Sequence, residues 1–242
     1  MEWHETIDAL KPHIFRISTP NGSGTGWLVS LSKASDMCAI ATAAHVIDYA
    51  HYWELPIRIY HAASDRTMLL RPQDRAVNIE AHLDTAVIIF EKRDLPLPTE
   101  TLPLIKQDYY IKPGVEIGWL GYPAVYQGDV CFFSGRVSHY NESQKRYLVD
   151  GVAINGVSGG PVFRSIAKGP ELIGVVSAYI ANRATGETLP GVAVVQDVTQ
   201  FHDVAQRFRT VDEAKAKESP PSESAPQREP ASNRPPENET RA

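Results

Sequence analysis

The sequence predicts an all-β fold, and three observations support this prediction. First, ten short apolar or alternating runs recur through the first 200 residues of the 242-residue chain. Second, glycine, proline and polar residues separate these runs at intervals that are typical of strands joined by turns. Third, helical periodicity is scarce, so nothing indicates the alternating strand–helix units of a parallel sheet. Many short strands without intervening helices favour a β-sandwich or a β-barrel.

The predicted strands fall into two groups along the chain. The first group comprises HIFRIST, TGWLVSL, MCAIATA, IRIYHA and TAVIIF, and the second comprises VEIGWLG, VCFFSGRVSH, RYLVDGVA, ELIGVVSAYI and GVAVVQ. Between them, residues 95–114 form the proline-rich stretch LPLPTETLPLIKQDYYIKPG, which has the composition of a connection. We therefore expect two strand-rich halves, one over about residues 12–100 and the other over about residues 110–196.

Helices are expected at the two ends of this strand-rich region, followed by a disordered tail. A short helix is predicted over ETIDALK, and the segment VTQFHDVAQRF, residues 198–208, places apolar residues on one helical face. The 32 residues from 211 to 242 contain six prolines and no aromatic residue, so they cannot bury enough apolar surface to offset the entropy of ordering them. We expect a folded domain over residues 1–210 and a disordered tail, rich in proline, glutamate and serine, over residues 211–242.

The composition argues against several classes of function. A net charge of −5 gives no strong attraction to nucleic acid or to an anionic membrane surface. No apolar run approaches the roughly 18 residues of a membrane span, and the first residues lack the basic and apolar regions of a signal peptide. Cys38 and Cys131 lie far apart and form neither a metal-binding spacing nor a disulfide framework. We expect a cytoplasmic protein with no nucleic-acid partner and no membrane span, and the oligomeric state stays open.

The segment NGVSGGPVF, residues 155–163, matches two different serine hydrolase signatures. Gly156 to Gly160 fit the G-x-S-x-G elbow of α/β-hydrolases, in which a helix follows the elbow and an acid and then a histidine follow the serine. Here His202 is the sole histidine after Ser158, and a further strand is predicted directly after the glycines. The elbow match is therefore accidental, and the letters S-G-G-P carry the other signature.

A histidine and an aspartate precede Ser158 in an order that serine catalysis can use. His45 ends the β-rich run IATAAHVI, where small alanines allow the chain to turn tightly at a barrel rim. Asp84 opens the apolar strand TAVIIF, a position at which the backbone can orient a carboxylate and shield it from water. The order His, Asp, Ser is one of those in which the catalytic triad occurs.

Six segments resemble, in their order along the chain, the landmarks of trypsin-like serine proteases. They are GSGTGWLVS, IATAAHVI, LDTAVIIF, NGVSGGPVF, LIGVVSAYI and PGVAVV. The first of them, and GYP at residues 121–123, are more similar to the bacterial HtrA/DegP protease domain. The resemblance covers roughly residues 12–208 and implies a chymotrypsin-like fold of two six-stranded antiparallel β-barrels. It implies that one barrel carries His45 and Asp84, that the other carries Ser158, and that the active site lies in the cleft between them.

The resemblance implies a serine endopeptidase that acts on protein or peptide substrates without a metal or an organic cofactor. Ser158 is the expected nucleophile, His45 the general base, and Asp84 the group that orients the histidine. The backbone N–H groups of Gly156 and Ser158 are the expected oxyanion hole. A second interpretation is a catalytically silent protein that uses a protease fold for binding or as a scaffold.

A specificity pocket is also implied. Its base lies six positions before the nucleophile, at Val152, which offers no charge to a lysine or arginine side chain. The walls are expected from Ser177, Ala178, Tyr179 and Gly191. We therefore expect cleavage after small or medium uncharged residues. A loop of different length would instead bring Asp150 to the base.

The chain departs from the related families at three points. Val46 follows the histidine where secreted trypsins usually have cysteine. Val157 precedes the serine where they usually have the aspartate that receives a freed N-terminus, so we expect no activation by N-terminal cleavage. HtrA proteins carry a PDZ domain after the protease domain. Here only the predicted tail follows, so we expect no regulation by a PDZ domain of this chain.

Overall fold

Thirteen β-strands and three α-helices form the parts of the chain that the computed structural model describes, residues 2–126, 128–181 and 188–218. The strands of the first half are β1 (Ile14–Thr19), β2 (Gly22–Leu31), β3 (Met37–Thr42), β4 (Ile57–His61), β5 (Arg66–Leu70), β6 (Arg75–Glu80) and β7 (Thr85–Glu91). Those of the second half are β8 (Glu116–Gly121), β9 (Cys131–Asn141), β10 (Arg146–Asp150), β11 (Pro161–Ile166), β12 (Gly169–Ala181) and β13 (Thr188–Asp197). The helices are α1 (Trp3–Leu10), α2 (Ala44–Tyr52) and α3 (Thr199–Glu218).

The second half is a closed barrel of six antiparallel strands in the order β10-β13-β12-β11-β8-β9, which confirms one of the two predicted barrels. Strand β9 pairs with both β8 and β10, and this closes the ring. Along β10, Tyr147 and Val149 are buried while Arg146 and Asp150 are exposed. Successive side chains of a strand point to opposite faces, so the apolar alternation of this segment fills the barrel interior.

The first half is a seven-stranded antiparallel sheet that stays open, so the prediction of a second, six-stranded barrel is wrong. Its strand order is β5-β4-β1-β2-β3-β7-β6. The edge strands β5 and β6 are joined by a 3-10 turn at Pro72–Asp74. At the start of β6, the Arg75 guanidinium donates to the backbone oxygens of Leu70, at 2.6 Å, and Leu55, at 2.7 Å. This side chain satisfies two backbone carbonyls beside the edge strand β6.

The central strands β2 and β3 of the first sheet are largely buried on both faces, and this fixes the two halves against each other. Leu28 and Ile40 belong to the core inside the sheet. Trp27 and Ala41, which point the opposite way, belong to the same core cluster as the interior of the barrel. Phe201 of α3 meets Trp27 edge-on, with ring centroids 5.4 Å apart. The loops at the junction of the two halves are therefore supported by a continuous apolar core.

The C-terminal helix is longer than predicted. It was expected over residues 198–208 with disorder from 211, but α3 runs to Glu218, so residues 211–218 are helical. The Asp212 carboxylate accepts hydrogen bonds from the Ser32 hydroxyl, at 2.5 Å, and from the Lys33 N–H, at 2.8 Å, in the turn after β2. This long-range anchor holds a polar segment that composition alone assigns to disorder. The predicted tail from 219 to 242 lies outside the described residues. Within the described chain, no helix is long and apolar enough to cross a membrane.

Candidate active site

His45 lies in the first turn of α2, directly after β3. Ala43, which is extended, and Ala44 are both buried, so the chain enters the helix close to the neighbouring strand. The Ala44 N–H donates to the backbone oxygen of Asp84 at 3.1 Å, and the His45 N–H donates to Asp84 Oδ1 at 3.0 Å. One aspartate therefore satisfies two of the free N–H groups at the start of α2, and its negative charge suits a helix N-terminus.

Asp84 stands between a 3-10 turn and β7, in a left-handed conformation with φ 49°. Aspartate enters this region more readily than most residues. Its two carboxylate oxygens lie 3.0 and 2.9 Å from Nδ1 of His45. The Ser177 hydroxyl donates to Oδ2 at 2.5 Å. With Nδ1–H donating to the carboxylate, Nε2 on the far side of the ring is left as the proton acceptor.

The two side chains shift each other's protonation. The hydrogen bond to Asp84 raises the pKa of His45 above its ordinary value, although partial burial of the ring acts in the opposite direction. Burial of the Asp84 carboxyl acts to raise its pKa, but the hydrogen bonds from His45 and Ser177 together outweigh burial and hold the pKa below its ordinary value. The imidazole side chain is 48% exposed and stays accessible. The pair is thus an ionised carboxylate beside a histidine with enhanced basicity.

Ser158 lies in the loop between β10 and β11, and the glycine after it lets this loop press against the first sheet. A Cβ at Gly159 would lie 2.1 Å from Thr42 Oγ1 and 3.0 Å from the Ala43 nitrogen, so only glycine fits. Ala43 is two residues before His45. The contact therefore brings the serine loop to the end of the first sheet that carries the histidine.

Hydrogen bonds from both halves hold the Ser158 loop. The Thr25 N–H of β2 donates to the Ser158 carbonyl at 2.8 Å, and the Gly159 N–H donates to the Val176 oxygen at 2.7 Å. Val176 precedes Ser177, whose hydroxyl contacts Asp84. In the described part of the chain, no hydrogen bond joins the Ser158 hydroxyl to His45. Such contacts are often long in unliganded enzymes and tighten when substrate binds.

Gly156 occupies a turn that requires glycine. Its φ is +92°, and a Cβ there would lie 2.2 Å from the Tyr122 oxygen. The Val157 N–H donates to the oxygen of Ile154 at 3.1 Å, which closes a β-turn with Gly156 at its third position. A positive φ at that position is characteristic of a type II turn. The glycine before the serine is thus set by backbone geometry.

The same loop presents two unpaired N–H groups, those of Gly156 and Ser158, which donate to no acceptor among the residues that the structure describes. The carbonyl in the same peptide as the Gly156 N–H accepts from the Ala124 N–H at 2.7 Å. The carbonyl in the same peptide as the Ser158 N–H accepts from the Gly160 N–H at 2.9 Å. The C=O and N–H of a trans peptide point in opposite directions, so these bonds direct both free N–H groups away from those partners. Two such donors beside a serine can stabilise a negative oxygen.

The structure brings together some of the residues predicted for the specificity pocket. The Gly151 N–H donates to the Gly191 oxygen at 2.9 Å, so Val152 lies next to Gly191. Val152 is 49% exposed and offers an uncharged surface. Ala178 is exposed on β12. Tyr179 follows it on the same strand, but its side chain lies outside the described part of the chain.

Ser177, which is expected in the pocket wall, makes a contact that the sequence did not predict. It is buried and its hydroxyl donates to Asp84. A lone polar residue inside the apolar run VVSAYI was the available signal. Thr25 was also missed, because it lies between two glycines at the start of the predicted strand TGWLVSL, and this pattern does not indicate a distant hydrogen-bond partner. Among the described residues, no group of three or more His, Cys, Asp or Glu side chains is arranged to hold a metal ion.

Comparisons with known proteins agree with this architecture. A family model described as a trypsin-like peptidase domain matches residues 24–175. The crystal structure of Deg5 is similar with a TM-score of 0.60 and 18% identity, covering 84% of this chain and 94% of that one. A serine endoprotease from Yersinia pestis gives a TM-score of 0.62 and 15% identity, over 86% of this chain and 66% of that one. An inactive form of Rv3671c from M. tuberculosis H37Rv gives a TM-score of 0.57 and 18% identity, over 85% of this chain and 90% of that one. No curated protein sequence matches significantly.

Proposed function

Since this chain belongs to the trypsin-like peptidase family, we propose that it is a serine endopeptidase with His45, Asp84 and Ser158 as its catalytic residues. The range matched by the family model, residues 24–175, contains all three. The substrate is a protein or peptide, and the chemistry below uses side chains and backbone groups of this chain together with one water molecule. The competing function is that of a catalytically silent binding or scaffold protein, which differs in a directly measurable way.

The reaction proceeds in two halves. The Ser158 hydroxyl attacks the carbonyl carbon of the peptide bond while Nε2 of His45 takes its proton, and Asp84 stabilises the imidazolium that forms. The substrate oxygen, now negative, accepts hydrogen bonds from the Gly156 and Ser158 N–H groups. The imidazolium then protonates the leaving amine, and the acyl group stays on Ser158. In the second half, His45 deprotonates a water molecule that hydrolyses the ester and restores the serine.

One observation carries this proposal, namely the pair of unpaired N–H groups on Gly156 and Ser158. Both N–H groups are left without an acceptor in the described chain, beside the same serine, and a protein that only binds or acts as a scaffold does not require this arrangement. In a peptidase, each donor of this kind stabilises the tetrahedral intermediate by about 3–4 kcal/mol. Unpaired donors beside a serine therefore favour catalysis over scaffolding.

A fluorophosphonate probe tests the proposal, because it reacts only with an activated serine. We expect one probe molecule per chain, attached to Ser158 when the labelled protein is digested and analysed by mass spectrometry. Ser158→Ala should not label, and His45→Ala should label far more slowly. Ser143→Ala, on an exposed turn, serves as the matched control and should label like the wild type. A folded wild-type protein that does not label would support the scaffold function instead.

We further propose that the peptidase cleaves after small or medium uncharged residues such as Ala, Val, Leu or Met. Val152, beside Gly191, offers no charge, and burying an unpaired Lys or Arg side chain there is costly. A peptide library varied at the residue before the scissile bond measures this preference. Val152→Asp should create activity toward Lys and Arg. A clear preference of the wild type for Lys or Arg would overturn the pocket assignment in favour of Asp150.

A further inference from the structure

Thr25 is the residue through which the first sheet holds the turn with the unpaired N–H groups. Its side chain is fully buried, and Oγ1 donates to the Gly156 oxygen at 2.8 Å and accepts from the Tyr122 N–H at 3.0 Å. Its own N–H donates to the Ser158 oxygen at 2.8 Å. We propose that Thr25 is a positioning residue that sets the orientation of the oxyanion hole. This inference rests on the proposed peptidase function and deepens it.

The hydrogen bonds of Thr25 act on the peptides on both sides of the Ser158 N–H. The Gly156 carbonyl belongs to the peptide that leads into Val157, and the Ser158 carbonyl belongs to the peptide that leads into Gly159. Between them lies the peptide that carries the Ser158 N–H. Because each peptide is planar, holding the two outer carbonyls restricts rotation of the middle one. Thr25 therefore sets the direction of an N–H group that it does not itself contact.

The hydroxyl, rather than the bulk of the side chain, supplies this constraint. As donor to Gly156 and acceptor from Tyr122, a single oxygen ties the turn to the residue that follows β8 of the barrel and to β2 of the first sheet. The surroundings are tight, since a Cβ at Gly121 would lie 3.1 Å from Thr25 Oγ1 and 2.8 Å from Val157 Cα. Thr25→Val keeps the shape of the side chain but leaves the Gly156 carbonyl and the Tyr122 N–H without a partner. We expect the turn to move so that these groups regain hydrogen bonds.

Steady-state kinetics of matched variants test this role. The oxyanion exists in the transition state and not in bound substrate, so a misdirected donor lowers kcat with little change in KM. Loss of a whole donor costs about 100- to 1,000-fold, so we expect Thr25→Val to lower kcat by about 10- to 100-fold. Thr25→Ser, which keeps the hydroxyl, should restore kcat to within about threefold of the wild type.

Thr6→Val is the matched control for lost stability. Thr6 is also fully buried, and its hydroxyl donates to the oxygen of Glu2, directly before α1, at 3.1 Å and bonds to the Ser165 hydroxyl in β11 at 2.9 Å. We expect both valine variants to lower the Tm, but only Thr25→Val to lower kcat. The positioning role is refuted if the two variants have the same kcat, or if Thr25→Ser does not rescue it.

Amide NMR separates failure of this inference from failure of the proposed function. In two-dimensional ¹H–¹⁵N spectra of the Ser158→Ala background, Thr25→Val should shift or broaden the amide signals of Gly156 and position 158. Thr25→Ser and Thr6→Val should leave those signals in place. This readout needs no turnover, so it holds even if the wild type does not react with a fluorophosphonate. Unmoved signals in Thr25→Val would overturn the inference whether or not the protein is a peptidase.

Discussion

The two sides of the candidate active site are built in opposite ways. On the side of the open sheet, Asp84 is saturated: its carboxylate accepts from the backbone and ring of His45 and from Ser177. On the barrel side, the loop is held through its carbonyls and the Gly159 N–H, while the Ser158 hydroxyl and the N–H groups of Gly156 and Ser158 have no partner in the described chain. A base must be held in one orientation, whereas the reacting side must offer free groups to the substrate.

Ser158→Ala should have the largest effect on activity and almost none on stability. If the three catalytic residues act as a unit, kcat falls on the order of a million-fold. The serine hydroxyl has no hydrogen-bond partner among the described residues, so thermal unfolding should keep the wild-type Tm within about 2 °C. Peptidase assays and calorimetry measure the two quantities. Retention of a tenth of the activity would contradict the assignment of the nucleophile.

Asp84→Asn should lower kcat by about ten-thousand-fold, because the amide no longer holds the histidine in the right tautomer. In the wild type, the acid limb of kcat/KM should have its midpoint above the ordinary histidine pKa of about 6.5, because Asp84 raises the pKa of His45. Activity is lost as pH falls through that pKa, since the imidazolium cannot accept a proton. In the variant, burial remains and the midpoint should move below the wild-type value. A midpoint that does not move would show that the pair is not coupled.

Gly156→Ala changes the barrel side of the site and should lower both the activity and the stability. The new methyl group would meet the Tyr122 oxygen at 2.2 Å in a backbone conformation of positive φ, so the turn must rearrange. Displacing a donor costs about 100- to 1,000-fold in kcat. The Tm should fall as well, which distinguishes this variant from Ser158→Ala. Wild-type activity in Gly156→Ala would exclude the Gly156 N–H from the oxyanion hole.

Ser177→Ala should lower activity by a smaller amount than the preceding variants, through its effect on Asp84. It removes one hydrogen bond to an ionised carboxylate, which corresponds to about a tenfold loss of kcat/KM. Because that bond helps to hold the pKa of Asp84 below its ordinary value, the pKa of Asp84 should rise in the variant. Carbon-detected NMR titration of the carboxyl measures this directly. An unchanged titration would indicate that the Ser177 contact does not act on Asp84.

Truncation should have the smallest effect on activity, and the cut position should matter for stability. A chain that ends at Glu218 should keep kcat/KM within about threefold and nearly the same Tm. A chain that ends at Thr210 also loses the bonds of Asp212 to Ser32 and Lys33, worth about 1–2 kcal/mol, and its Tm should fall by several degrees. Asp212→Asn in the full chain should reproduce part of that fall. Equal melting of the two truncated chains would show that Asp212 does not anchor α3.

Local patterns allowed some of these features to be predicted, and long-range contacts account for the rest. His45, Asp84 and Ser158 were singled out because each lies beside a recognisable run and they follow the order of a catalytic triad, while the closed barrel was implied by the resemblance to trypsin-like proteases. The openness of the first sheet is a matter of its edges, since β5 and β6 do not pair with each other. No periodicity within those strands encodes it.

The contacts of Ser177, Thr25 and Asp212 were missed for a similar reason. Each depends on a partner that is far away in sequence: Asp84 lies 93 residues from Ser177, and Gly156 lies 131 residues from Thr25. A polar residue in an apolar run, or a threonine between glycines, signals only that a partner is needed. The identity of that partner follows from the packing of the two halves.

Pre-steady-state hydrolysis of p-nitrophenyl acetate tests the central claim most directly. A saturated acid–base pair beside a serine with free oxyanion donors should form an acyl-enzyme faster than water removes it. We predict a burst of one p-nitrophenol per chain and an acetyl group on Ser158 by mass spectrometry, with neither in Ser158→Ala. Linear release without a burst, together with no acetyl group on Ser158, would contradict the account.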